Sequence, residues 1–212
     1  MKKEELLEEL VNGGYLKTES IIEAFKFVDR KNFVLEKDKD SAYENYPLSI
    51  GYGQTISQPL TVAFMLELLE PRKKEKVLEI GTGSGWQTCL LAYLVSGGED
   101  NGGRIFSIER IPELKEFANK NISQNYPDFQ RYITLIEGDG SLGFDKEAPF
   151  DKIIVSAAAV KIPETLKKQL KVGGRMVIPV GESILSLDKI SEDEFKTKEF
   201  FGFSFVKFIG AD

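Results

Sequence analysis

Glu79-Ile80-Gly81-Thr82-Gly83-Ser84-Gly85 follows the apolar pair Val77-Leu78 and precedes a stretch of helical spacing that begins at Trp86. A strand that turns into a helix through closely spaced glycines marks the crevice where open α/β sheets bind ligands, because glycine lets the backbone come close to them. A dinucleotide fingerprint would put its third glycine at position 86, where this chain has Trp86. A nucleoside without a pyrophosphate suits the loop better. Outward from it, short apolar runs recur at 77–80, 105–108, 133–136, 153–155 and 176–178, with helical stretches at 86–95, 112–125 and 163–170. Runs that are almost wholly apolar belong to strands covered on both faces. The pattern predicts an α/β fold with a doubly wound, mostly parallel sheet.

Two further strand ends extend the loop's reading. The second strand ends at Glu109, a carboxylate suited to accept both hydroxyls of a ribose and to repel a 2′-phosphate. The third ends at Gly138-Asp139-Gly140, where an acid and a flexible backbone can meet an adenine edge. Alone, a glycine loop is a tight turn, Glu109 a solvated strand-end acid and Asp139-Gly140 an ordinary turn; in this order the three point to a nucleoside site.

Ahead of the sheet, Leu6, Leu7, Leu10 and Val11 predict a first helix stopped by Asn12-Gly13-Gly14, and Thr18 is the expected cap of a second helix carrying Ile21, Ile22, Phe25 and Val28. Residues 36–59 read as a long functional loop, rich in aromatics, glycine and hydroxyls. A helix with Val62, Met65, Leu66 and Leu69 follows and ends near Pro71. Beyond Ser183, the pieces 184–187 and 200–209 predict an antiparallel hairpin at one sheet edge. The whole, 1–212, reads as one domain: helices and active loop over 1–60, an α/β core over 61–182 and the hairpin over 183–212.

Composition narrows the chemistry. The 212 residues carry 28 Lys+Arg against 34 Asp+Glu, a net charge of −6, with the basic residues scattered, which disfavours a nucleic-acid partner. No apolar run approaches the roughly 18 residues that cross a bilayer. The start Met1-Lys2-Lys3-Glu4-Glu5 lacks a secretion signal and the one Cys89 cannot form an internal disulfide, so a cytoplasmic location is expected. There is no His, which removes Ser-His and Cys-His pairs, His metal sites and imidazole acid–base catalysis.

Glu79 to Gly85 resembles the first motif of class I, Rossmann-like methyltransferases that use S-adenosylmethionine. Gly51-Tyr52-Gly53-Gln54-Thr55-Ile56-Ser57-Gln58-Pro59, Gly138-Asp139-Gly140-Ser141-Leu142-Gly143 and Gly173-Gly174-Arg175-Met176-Val177-Ile178-Pro179-Val180-Gly181 are similar to signature segments of protein-L-isoaspartate O-methyltransferases. The likeness runs over nearly the whole chain. It implies an enzyme that binds S-adenosylmethionine, needs no metal and methylates the free carboxylate of L-isoaspartyl residues in damaged proteins and peptides, a repair activity. It also implies an active-site serine at Ser57, a ribose-binding acid at Glu109, the first-motif acid at Glu79, cofactor contacts at Gly81, Thr82, Gly83 and Gly85, and an adenine-side loop at Asp139 and Gly140.

That chemistry suits a chain without His. A carboxylate acceptor, with a pKa near 4, is already ionised at neutral pH and needs only to be desolvated and aimed. Ser57, helped by the Thr55 hydroxyl and loop amides, could hold one carboxylate oxygen; the competing reading is that Ser57 caps the helix begun at Gln58-Pro59. After the fourth strand the chain reads Ser156-Ala157-Ala158-Ala159, without the Pro-Pro-aromatic motif of amino-methylating enzymes or the carboxylates of metal-dependent ones. Cys89 lies inside a helix and reads as a small buried residue rather than a nucleophile. Phe33-Val34-Leu35 and Phe205-Val206-Lys207 depart from the family's Phe-Val-Pro, so substrate-side packing could differ. Residues 96–103 form a longer connection than many relatives need, expected at the surface. The alternatives are a methyltransferase for another carboxylate and a non-catalytic cofactor-binding module.

Overall fold

The amino-terminal segments build a helical layer on one face of the sheet. In the computed structural model, which describes residues 1–97 and 102–209, α1 (Lys3–Asn12) and α2 (Glu19–Phe27) bury Leu6, Leu10, Ile21 and Phe25, the positions that recur at helical spacing. Thr18 precedes α2, yet its side chain does not cap that helix. Its hydroxyl donates to Glu67 of α3 (Pro59–Leu69) at 2.7 Å, and the same carboxylate accepts the Lys17 and Thr18 amides. A tertiary partner thus draws the Thr18 side chain away from the helix start.

The region 36–59 is more ordered than a loop. After a 3-10 turn at Glu36–Ser41, β1 (Leu48–Gly51) and β2 (Gln54–Ile56) pair antiparallel. Leu48, Ile50 and Ile56 are buried while Ser49 and Thr55 face outward, the period of two that a half-buried strand requires. Gly51, Tyr52 and Gly53, with φ of 92°, 55° and 70°, make the turn. Strands this short leave too few alternations to be recognised in the sequence.

The expected βα rhythm follows: β3 (Lys76–Ile80), α4 (Trp86–Ser96), β4 (Arg104–Glu109), α5 (Pro112–Asn125), β5 (Ile133–Glu137), β6 (Phe150–Val155), α6 (Glu164–Gln169), β7 (Leu170–Val180), β8 (Ser183–Lys189) and β9 (Phe195–Phe201). The sheet order is β5-β4-β3-β6-β7-β8-β9, parallel from β5 to β7 and antiparallel thereafter. Alternate residues serve the two faces. Val77, Ile105 and Ile154 join the core that packs the helices from α1 to α5, while Leu78, Ile80, Phe106 and Ile153 join a second core closed by Leu166 of α6. Because the chain leaves β3 towards β4 on one side and reaches β6 on the other, the carboxyl end of β3 is the point where strand order reverses.

At the carboxyl end the hairpin forms, but its second strand is β9, not the stretch 200–209. Gly202, at φ 96°, stops the ladder one residue after Phe201, and the chain then folds back over the sheet. Ala158 donates to Val206 O and Phe208 donates to Ala158 O, each at 2.8 Å. Of the connection at 96–103, residues 98–101 lie outside those described.

Candidate active site

At the carboxyl end of β3 the glycine loop closes with Gly81, Gly83 and Gly85 at φ of 93°, 55° and 88°, a backbone that residues with a side chain rarely adopt. The Gly81 amide donates to Ile108 O at 2.8 Å and Gly85 to Thr82 O at 2.9 Å. The Gly83 amide donates to the Glu109 carboxylate at 2.9 Å, and the other oxygen of Glu109 accepts the Ile111 amide at 3.0 Å. Glu109 therefore ties the loop to the end of β4 with lone pairs left over for a ligand.

Over this loop lies an open cleft of about 830 Å³, counting solvent at its mouth. Gly81, Thr82, Gly83, Glu109 and Gly140 line it, as do Thr55 and Ser57. Glu79, Gly85 and Asp139 do not line it. Gly85 presses on α5, where an added Cβ would sit 3.2–3.3 Å from Ile122 and Ala118, so its small size serves helix packing. The Asp139 carboxylate accepts the Ser141 amide and hydroxyl, both at 2.8 Å, and shapes the turn that presents Gly140.

Glu79 is fully buried beneath the loop. It accepts Gln87 Nε2 at 3.0 Å, Thr88 Oγ1 at 2.6 Å and Ser107 Oγ at 2.7 Å, while Thr82 Oγ1 and Ser107 Oγ lie 2.6 Å apart. Burial pushes its carboxyl up to about 7; the three hydrogen bonds oppose the rise and Glu109 adds to it. The acid acts on the cleft through the residues it holds, fixing Thr82 and Gln87 at the cleft wall. A polar Ser107 inside the run Ile105-Phe106-Ser107-Ile108, and Gln87-Thr88 inside an apolar helix, were the available sequence signals of this network.

Ser57 follows β2, half-buried, and does not cap α3. The cap position is Gln58, and the Leu60 amide is met by Asn45 Oδ1 at 3.0 Å. The Ser57 hydroxyl has no hydrogen-bond partner among the described residues. Thr55, Ser57, Ser156 and Val206 also line a second hollow, together with Pro47, Gln58, Thr61, Ser204 and Phe205. Ser57 thus stands where two adjoining cavities meet. The tail residues Val206, Lys207 and Phe208 wall the first cleft, so the Phe205-Val206-Lys207 segment that departs from the family's Phe-Val-Pro borders both hollows. Cys89 is buried, and burial raises its thiol well above the usual range. Among the described residues no group of three or more His, Cys, Asp or Glu could hold a metal.

The model of the protein-L-isoaspartate(D-aspartate) O-methyltransferase family matches residues 1–211. The chain belongs to that family. It is 42% identical over 214 residues to a protein-L-isoaspartate O-methyltransferase of Methanopyrus kandleri, covering 99% of this chain and 92% of that one. It is 50% identical over 182 residues to one of Ignicoccus hospitalis, with coverage of 85% and 82%. A crystal structure of a Plasmodium falciparum protein described as a protein-L-isoaspartate O-methyltransferase, in complex with S-adenosyl-L-homocysteine, superposes with a TM-score of 0.89 at 24% identity and full coverage of both chains. That likeness establishes the shared fold of family members across a wide sequence distance.

Proposed function

We propose that this protein transfers a methyl group from S-adenosylmethionine to the free carboxylate of L-isoaspartyl residues in proteins and peptides. Family membership over nearly the full chain supports the activity. The observation that carries the mechanism is the position of Ser57, at the junction of a nucleoside-sized cleft and a second hollow.

The residues present suit the donor. The cleft floor has no side chain at Gly81 or Gly83, and Glu109 offers a carboxylate at the end of β4 for the ribose hydroxyls. Gly140 brings bare backbone to the adenine side. When bound, S-adenosylmethionine supplies an electrophilic methyl on a sulfonium. The chain's own contribution is to bind and to aim. Ser57 Oγ, unengaged by the protein, can donate to one oxygen of the acceptor carboxylate, with Thr55 Oγ1 beside it on the same rim, leaving the other oxygen to face the methyl. No side chain has to remove a proton, because the acceptor arrives ionised. Orientation and the exclusion of water from the two hollows account for the acceleration.

Proteins and peptides are the acceptors in this reading, rather than nucleic acid, in keeping with the net charge of −6. No helix among the described residues is long and apolar enough to cross a membrane; a cytoplasmic site of action completes the proposal. Mass spectrometry of an isoaspartyl peptide incubated with the protein and S-adenosylmethionine tests it. A methyl ester on the isoaspartyl carboxylate is expected, and an unmodified peptide beside a cofactor that binds would refute it.

A further inference from the structure

Arg30 is an anomaly for a charged residue in a chain with so much surface. It lies in the 3-10 turn Arg30–Phe33, is 2% exposed, and carries a guanidinium that no carboxylate pairs with among the described residues. Its partners are backbone carbonyls of the segment that ends at Ser57. Nη1 donates to Ala42 O at 2.6 Å, and Nη2 donates to Tyr46 O and to Ser57 O, each at 3.1 Å. The guanidinium also stands over the ring of Trp86, 5.3 Å from its centroid. Trp86 opens α4 immediately after the glycine loop and lines the cofactor cleft. Burial without a counter-charge is costly, and it pulls the guanidinium down to about 10, well below its ordinary value. Arg30 Nε and Trp86 Nε1 are moreover both buried without hydrogen-bond partners, so the pair is not an arrangement that maximises stability.

We propose that Arg30 is the positioning residue of the acceptor side: it fixes the Ser57 peptide against the Trp86 wall of the cleft, and its unbalanced charge favours an anionic acceptor at Ser57. The inference rests on the reading of Ser57 as the group that holds the acceptor carboxylate. Two consequences follow from the geometry. Arg30 engages the Ser57 carbonyl and not its hydroxyl, so loss of the guanidinium loosens Ser57 while leaving Glu109 and the glycine loop in place. A positive charge in a buried setting is weakly screened, and it attracts an ionised acceptor without touching it.

The test is a double-mutant cycle on the full chain, with Arg30→Met, Arg30→Lys, Ser57→Ala and the Arg30→Met/Ser57→Ala combination. Turnover and KM are measured on an isoaspartyl peptide, and S-adenosylhomocysteine affinity by calorimetry. Arg30→Met is expected to lower kcat by about tenfold or more while cofactor affinity changes by less than about threefold. Arg30→Lys, which keeps the charge, should regain part of the loss. In the Ser57→Ala background, Arg30→Met should cost far less than it does alone, since the two act through one contact. Equal costs in both backgrounds, or wild-type kinetics in Arg30→Met, would overturn the inference. Should Arg30→Met fail to fold, the neutral Arg30→Gln takes its place, and wild-type kcat and KM in Arg30→Gln would overturn the inference as well. Full activity in Ser57→Ala would instead sink the reading of Ser57 itself, a separable result.

Discussion

The Gly83 amide and the Glu109 carboxylate, 2.9 Å apart, join the two strand ends that frame the cofactor cleft. One acid both shapes the loop and lines the cleft. Glu109→Ala removes the acceptor of two part-buried amides as well as the proposed ribose partner. It should weaken S-adenosylhomocysteine by about 10- to 100-fold, the worth of one or two charge-assisted hydrogen bonds. Isothermal titration decides this; unchanged affinity would exclude Glu109 from the cofactor site.

In the proposed mechanism Ser57, which borders both hollows, acts on the acceptor and not on the nucleoside of the donor. Ser57→Ala should therefore leave S-adenosylhomocysteine affinity within about twofold of wild type and lower kcat on an isoaspartyl peptide by about 10- to 1,000-fold, the range seen when one oriented donor is removed. Equal turnover in the two proteins would take the hydroxyl out of the mechanism.

The glycines of the loop separate into cleft floor and packing contact. Gly85→Ala would force a left-handed backbone on alanine and push its Cβ to 3.2–3.3 Å from Ile122 and Ala118. A loss of about 1–3 kcal/mol is expected from chemical denaturation. A denaturation midpoint equal to wild type would show that α5 yields freely there.

Buried Glu79 links stability to pH. Its carboxyl lies at about 7 in the folded protein against an ordinary 4.5, so the folded state keeps a proton that the unfolded chain has released. The stabilisation from this proton is complete below about 4.5, falls as the pH rises to about 7 and is level above it. Glu79→Gln removes the titration. Across that window the wild type should lose up to about 3 kcal/mol more than the variant; parallel stability curves from pH 4.5 to 8 would contradict the assignment.

Much of this site was legible in the chain because its parts are local. A glycine loop after an apolar run, an acid at the next strand end and a glycine turn after the third are consecutive features, and the sheet confirms their order. What stayed hidden depends on contacts between distant segments. Nothing local singles out Arg30, between Asp29 and Lys31, because the carbonyls of residues 42, 46 and 57 that converge on it lie further along the chain. The 203–209 tail reads as a strand until Gly202 turns it onto Ala158 and across the cleft. Thr18 and Ser57 both read as caps, and neither side chain caps a helix: the Thr18 hydroxyl is drawn to Glu67 of α3, and Asn45 meets the Leu60 amide at the start of α3. Local propensity is a weak prior where a packed neighbour offers a better partner.

The most direct test compares transfer of labelled methyl from S-adenosylmethionine to two peptides that differ only in an isoaspartyl or an aspartyl linkage. The account predicts that kcat/KM for the isoaspartyl peptide exceeds that for the aspartyl peptide by about a hundredfold or more, a difference of roughly 3 kcal/mol in positioning the acceptor. Equal labelling of both peptides, or of neither while the cofactor binds, would contradict it.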